Sequence, residues 1–200
     1  MKTWVGKDFN WKAKVVCGRC NNTWMGDIEN QHAKTALSDL IIGKSDVPID
    51  SARARSIALF SFKTAAVFDL ISSNHPPFFR RDERYAFKDS LDIPTNVKMW
   101  MGAYSPGGRG DVHTGYLKAA TSPAEYIQCH VCTFSAGHFV FQLLAARTSR
   151  RFFPILGFEK LAVPFWPRFE ECVWPPPYTL KTAREFDAFS LRWKRVTFLG

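Results

Sequence analysis

Near Asn96 the hydrophobic period of this chain changes, and that change limits the folds open to it. Before Asn96, apolar residues recur at helical spacing. Met25, Ile28, Leu37, Leu40 and Ile41 mark one stripe, and Ile57, Phe60, Thr64, Val67, Phe68 and Ile71 a second. After it they alternate, with Val97, Met99 and Met101 set against Lys98, Trp100 and Gly102. Helices first and strands later predict an α+β fold, helices packed on an antiparallel sheet.

The boundaries follow from capping and turn chemistry. A short strand is expected over 9–16, where Phe9, Trp11, Ala13 and Val15 alternate with polar residues. A helix then runs from about Asn22 to Ile42 and ends at Gly43. Asp50 or Ser51 caps a second helix, which stops before Asn74-His75-Pro76-Pro77. Arg80 to Leu91 reads as a third. Val112–Ala120, Tyr126–Phe134 and His138–Arg147 read as further strands, with a tight hairpin at Ala136-Gly137 and a turn over Ser105 to Gly110. Together these predict a meander of about four strands. The Trp174-Pro175-Pro176-Pro177 run reads as an extended surface segment, and 180–194 as a last helix. Residues 1–43 form one unit, 44–200 the rest, and the two are expected to make one globular body.

With 27 Lys and Arg against 18 Asp and Glu, the net charge is +9. That balance favours polyanionic partners, nucleic acid before anionic membrane. No apolar run is long enough to cross a bilayer, and the first residues carry no apolar leader core, so the expected compartment is the cytoplasm. Five cysteines without a leader argue against a secreted disulfide framework. Four of them form two Cys-x-x-Cys pairs, Cys17/Cys20 and Cys129/Cys132.

Two thiols spaced this way on a tight turn are half of a structural zinc site, and Gly18 suits such a turn. Cys129 and Cys132 can complete the cage only through a bulge, because positions three apart on a strand face opposite ways. Packed thiols are the simpler reading of that pair. A thiol-redox role for Cys17 and Cys20 would need a thioredoxin-like βαβ setting, which the order of elements does not present.

The stretch Cys17-Gly-Arg-Cys-Asn-Asn-Thr-Trp-Met-Gly-Asp-Ile-Glu29 resembles a group of bacterial HNH-endonuclease-like proteins with a Cys-x-x-Cys-Asn-x-x-Trp-Met-x-x-x-Glu core. Phe62-Lys63-Thr64-Ala65, Trp100 to Tyr104 and Trp174 to Pro176 are similar to the same group, although only the first motif is specific. The resemblance implies a partial ββα-metal, treble-clef-like unit with structural zinc on Cys17 and Cys20. Asn21 would help hold a catalytic Mg or Mn ion, and Glu29 would be a polar residue of the site. It implies nucleic acid as partner, with Arg19 near the knuckle as a contact.

This chain departs from the pattern in its first residues. The family supplies there a second Cys-x-x-Cys and a Glu-His or Asp-His pair whose His is the general base. Here the sixteen residues before Cys17 hold neither Cys nor His, and Trp24 stands where a Lys is commoner. The missing half belongs to a longer chain or to a protein partner, or the nuclease site is dead. The competing reading is a non-catalytic module that binds nucleic acid or protein.

Other candidates carry weaker signals. His32 can share a helix face with Asn21 and Glu29 at helical spacing. Two basic clusters, Arg147/Arg150/Arg151 and Arg80/Arg81/Arg84, can track a phosphate backbone or simply be solvated. Trp11 and Trp24 can stack on bases or pack in the core. His75, His113 and His138 show no metal-ligand spacing.

Overall fold

A computed structural model of the chain describes residues 2–6, 15–71, 75–105, 110–122, 125–148 and 162–191. The class is α+β, as the change of period predicts. The first strand, β1 (Lys2–Gly6), precedes the expected one at 9–16. Of that expected strand, only Val15 and Val16 are described, and they form a turn and a bend.

The helical run begins at α1 (Gly18–Cys20) and continues through two wide π-helical turns, Asn21–Met25 and Ile28–Ala33, into α2 (Lys34–Ile41). Thr23 breaks the run with φ −109° and ψ −112°. Its hydroxyl donates to the Arg19 carbonyl at 2.8 Å, a local bond that competes with the helical ladder and bends it. After β2 (Val47–Ile49), the Asp50 carboxylate accepts from the Arg53 amide at 2.7 Å and caps α3 (Ser51–Ile71). Ile57, Ala58, Phe62, Ala65 and Phe68 are all buried, but so are Ser61, Lys63 and Asp69. So α3 is enclosed on most of its circumference rather than amphipathic. In α4 (Arg81–Ser90), Glu83 reaches back to accept from the Arg80 amide at 2.7 Å.

The main sheet holds β3 (Val97–Tyr104), β4 (Gly110–Ser122), β5 (Glu125–Ala136), β6 (Phe139–Thr148), β7 (Val163–Trp166) and the short β9 (Thr179–Leu180). Its order is β1-β4-β5-β6-β3-β7, with β9 parallel to β3. This corrects the simple meander. β4, β5 and β6 follow one another, but β3 pairs with β6 rather than with β4, and of the expected turn over Ser105 to Gly110 the inner residues lie outside the described ones. The result is a Greek-key order. The Ala136-Gly137 hairpin stands as expected, with Ala136 opposite Phe139.

Both faces of the sheet are covered. Met99, Met101, Cys132, Phe134, Phe139, Phe141 and Leu143 meet the helices that precede the sheet. Trp100, Tyr104, Cys129, Val131, Val140 and Leu144 meet Phe186 and Phe189 of α5 (Ala183–Leu191). Two-sided burial explains why β6 reads as a near-continuous apolar run. The Pro-rich segment is not merely superficial. Trp174, in β8 (Cys172–Trp174), is 2% exposed and packs on Phe139, while β8 pairs with β2. Residues on both sides of Gly43 therefore share one core. Among the described residues no helix is long and apolar enough to cross a membrane.

The β5–β6 turn locks this sheet to the end of α2. Gly137 has φ +55°, and the His138 amide donates to the Ile41 carbonyl at 2.9 Å. A Cβ on Gly137 would lie 2.2 Å from that carbonyl oxygen. Gly137→Ala is therefore expected to lose about 2 to 3 kcal/mol, from the left-handed backbone and the displaced hydrogen bond. Gly18→Ala meets open space and is expected to change stability by under about 0.5 kcal/mol. Urea unfolding of the two variants measures both.

Candidate functional site

The knuckle opens the helical run. Cys17 sits at its N-cap in extended backbone, φ −71° and ψ 152°, and its sulfur accepts from the Cys20 amide at 3.4 Å. The Asn21 amide donates to the Cys17 carbonyl at 3.1 Å. Cys17 is exposed and Cys20 partly so. Hydrogen bonding from Cys20 lowers the Cys17 thiol below its ordinary range, which favours the thiolate that binds metals. Gly18 has no positive φ, so the turn does not need glycine there.

The other candidates disperse. Asn21 donates to the Asn22 side chain at 3.2 Å. Glu29 pairs with Lys63 of α3. His32 Nδ1 lies 3.4 Å from Ser56 Oγ. Between Asn21 and His32 the run passes through two wide turns and the break at Thr23. Cys129 and Cys132 point to opposite faces of β5, in separate apolar clusters. Burial pushes the Cys129 thiol up to about 11 and raises Cys132 as well. Among the described residues no three His, Cys, Asp or Glu side chains gather as a metal site. Cys17 and Cys20 stand at the start of the run with no such cluster around them among the described residues.

The basic clusters also separate. Arg147 turns inward: its guanidinium donates to the Phe78 carbonyl, pairs with Glu83 and lies 4.3 Å from the Phe78 ring centre. Arg150 and Arg151 lie outside the described residues. Arg19 is exposed beside the knuckle. Arg81 and Arg84 lie on α4 and, with Lys63 and Lys88, line a cleft of about 340 Å³ that Cys17 and Cys20 also border. Trp24 packs edge-on against Phe87 at 5.9 Å in the same wall, so it serves the apolar lining.

Two buried histidines carry chemistry that periodicity did not reveal. His130 is wholly buried between Phe78 and Phe79, with Nδ1 3.6 Å from an Asp69 oxygen. Asp69 accepts the amides of Phe78 and Phe79 at 3.0 and 2.9 Å. His113, under α5, has Nε2 3.5 Å from Asp187. Burial lowers both imidazoles, with the carboxylates opposing it. The only sequence signal was a histidine within each predicted strand. His138 is structural, its Nδ1 3.0 Å from the Tyr104 carbonyl, and His75 stacks on Tyr116 at 4.3 Å.

No protein-family model, no curated protein and no solved structure matches this chain. The site is therefore read from its own geometry.

Two predictions follow from these environments. Iodoacetamide on the folded protein is expected to modify Cys17 first and to reach Cys129 and Cys132 only after unfolding, as peptide mass mapping would show. Both lowered histidines are stored neutral, so the unfolded chain takes up their protons first. Their stabilisation is complete above the ordinary imidazole value of about 6.5 and declines as pH falls from there toward the lower folded values. The melting temperature should drop between about pH 7 and 5, and His130→Gln should flatten part of that slope.

Proposed function

We propose that this protein is an HNH-endonuclease-like, nucleic-acid-interacting protein whose knuckle needs ligands from outside the described residues. The observation that carries the proposal is the placement of Cys17 and Cys20, accessible at the start of one helical run, on the border of a cleft lined by Lys63, Arg81, Arg84 and Lys88. Zinc in a structural site takes four ligands, and the two thiols supply half. Since Cys129 and Cys132 are split between two cores, the other donors would come from a partner chain or a further segment. Zinc would there be architectural. Asn21, exposed at the next position, is the residue left to face a catalytic Mg or Mn ion.

A binding module without cleavage is the second reading, and the Glu29–Lys63 pair favours it. That pair occupies one of the two polar residues assigned to catalysis with an internal cation. On either reading the basic surface meets phosphate, and affinity falls steeply with salt.

The test joins metal and nucleic acid. Zinc competition against a chromophoric chelator is expected to show weak binding by the chain, lost in Cys17→Ser and unchanged in Cys129→Ser. Supercoiled plasmid is expected to be retarded on a gel but not cut, with or without magnesium or manganese. Metal-dependent nicking that disappears in Asn21→Ala would instead mean a complete nuclease site. Plasmid untouched at low salt would remove duplex DNA from the reading.

A further inference from the structure

The cleft beside the knuckle has more than charge. Its floor is apolar, made by Trp24, Met25, Phe62, Leu70 and Phe87. Phe62 and Phe87 meet edge-on at 4.6 Å, so the floor is packed rather than collapsible. Its volume of about 340 Å³ lies in the range of pockets that take small ring systems. Along one side runs α4, with Tyr85 as its most exposed aromatic at 48%. Arg81 and Lys88, one turn to either side of it, lie over the Tyr85 ring at 5.3 and 5.5 Å from its centre, and Lys88 also pairs with Asp89 at 3.5 Å, so a base on that ring would displace them toward its phosphates. Arg84 is held by the Phe79 carbonyl, which orders its guanidinium at the cleft.

This is the chemistry of an unpaired nucleotide: a π-face for the base, an apolar slot, and cations spaced along the backbone. Duplex DNA offers phosphates but hides its base faces in the stack. We propose that the α4 cleft binds single-stranded nucleic acid, stacking a base on Tyr85 while Arg81, Arg84 and Lys88 hold the flanking phosphates. The inference rests on the nucleic-acid reading above and narrows its partner. An apolar floor alone would also suit a peptide or a second copy of this chain. Two cations at an exposed aromatic and a third on the same cleft, in a chain of net charge +9, favour the polyanion.

The experiment is fluorescence anisotropy with a labelled oligothymidylate, an abasic oligomer of equal length and a duplex, at matched salt. The oligothymidylate is expected to bind about ten-fold tighter than the abasic strand, as one stacked base would give. Tyr85→Ala should erase that difference, and Tyr85→Phe should keep it. Arg81→Gln should reduce the single-strand salt slope by about 0.7. Thermal melts of each variant verify that the exposed substitutions leave the fold intact. Equal binding of the thymidylate and abasic strands, or an unchanged preference in Tyr85→Ala, would overturn the inference while leaving duplex binding to stand. So would a concentration-dependent dimer in sedimentation that Tyr85→Ala dissociates. Absence of binding to all three probes would fail the broader reading with it.

Discussion

The Asp69 carboxylate is the constraint on which the cleft depends. It is wholly buried near the end of α3, where an unsatisfied carboxylate would cost several kcal/mol. Two amides answer that cost, those of Phe78 and Phe79, and the His130 imidazole stands beside them. Pinning those amides fixes where the chain lies as it approaches α4. The Phe79 carbonyl is thereby presented to Arg84, and the Phe78 carbonyl and ring to Arg147. Arg147 then holds Glu83 in the first turn of α4. A single buried acid on α3 thus sets the helix that walls the cleft, through contacts reaching β5 and β6.

The opposite wall has a parallel arrangement. Lys63 is buried in the middle of α3, with its ammonium 5.0 Å from the Phe60 ring centre and paired with Glu29. Glu29 lies in the second wide turn of the helical run, so this pair ties the knuckle helix to α3. His32 adds a second tie, through Ser56. Glu29 and His32 thus tie the helix that carries Cys17 and Cys20 to α3. The wide turns and the Thr23 break shape the path from the thiols to these anchors.

Much of this architecture was legible in the sequence because local chemistry and tertiary packing agree. The Asp50 cap, the stop before Pro76 and the Ala136-Gly137 hairpin each rest on short-range signals, and each falls where those signals put it. Pairing order did not follow, since nothing in the alternation of β3 distinguishes β4 from β6 as a neighbour. The Cys129/Cys132 split was legible from strand geometry alone, because a three-residue offset reverses the face. The π-turns between Asn21 and His32 were not legible, because periodicity assumes regular α-helical spacing. The buried Asp69–His130 contact joins residues far apart in sequence, a pairing no periodicity encodes.

The charge count also needs the fold before it can speak to function. A net charge of +9 suggests a broadly basic surface, yet several cations are turned inward. Arg53 donates to the carbonyls of Ala36 and Pro48, and Arg147 to that of Phe78. These guanidinium groups donate to backbone carbonyls of neighbouring elements, a task for which their fork of donors suits them. Among the described residues, the positive charge free to meet a partner is therefore smaller than the Lys and Arg count implies. At the cleft, α4 sets Arg81 and Lys88 one turn on either side of an exposed aromatic ring, with Lys88 paired to Asp89. Charge count and charge placement are thus separate facts, because a cation committed to an internal carbonyl adds to the first without shaping the field a partner meets.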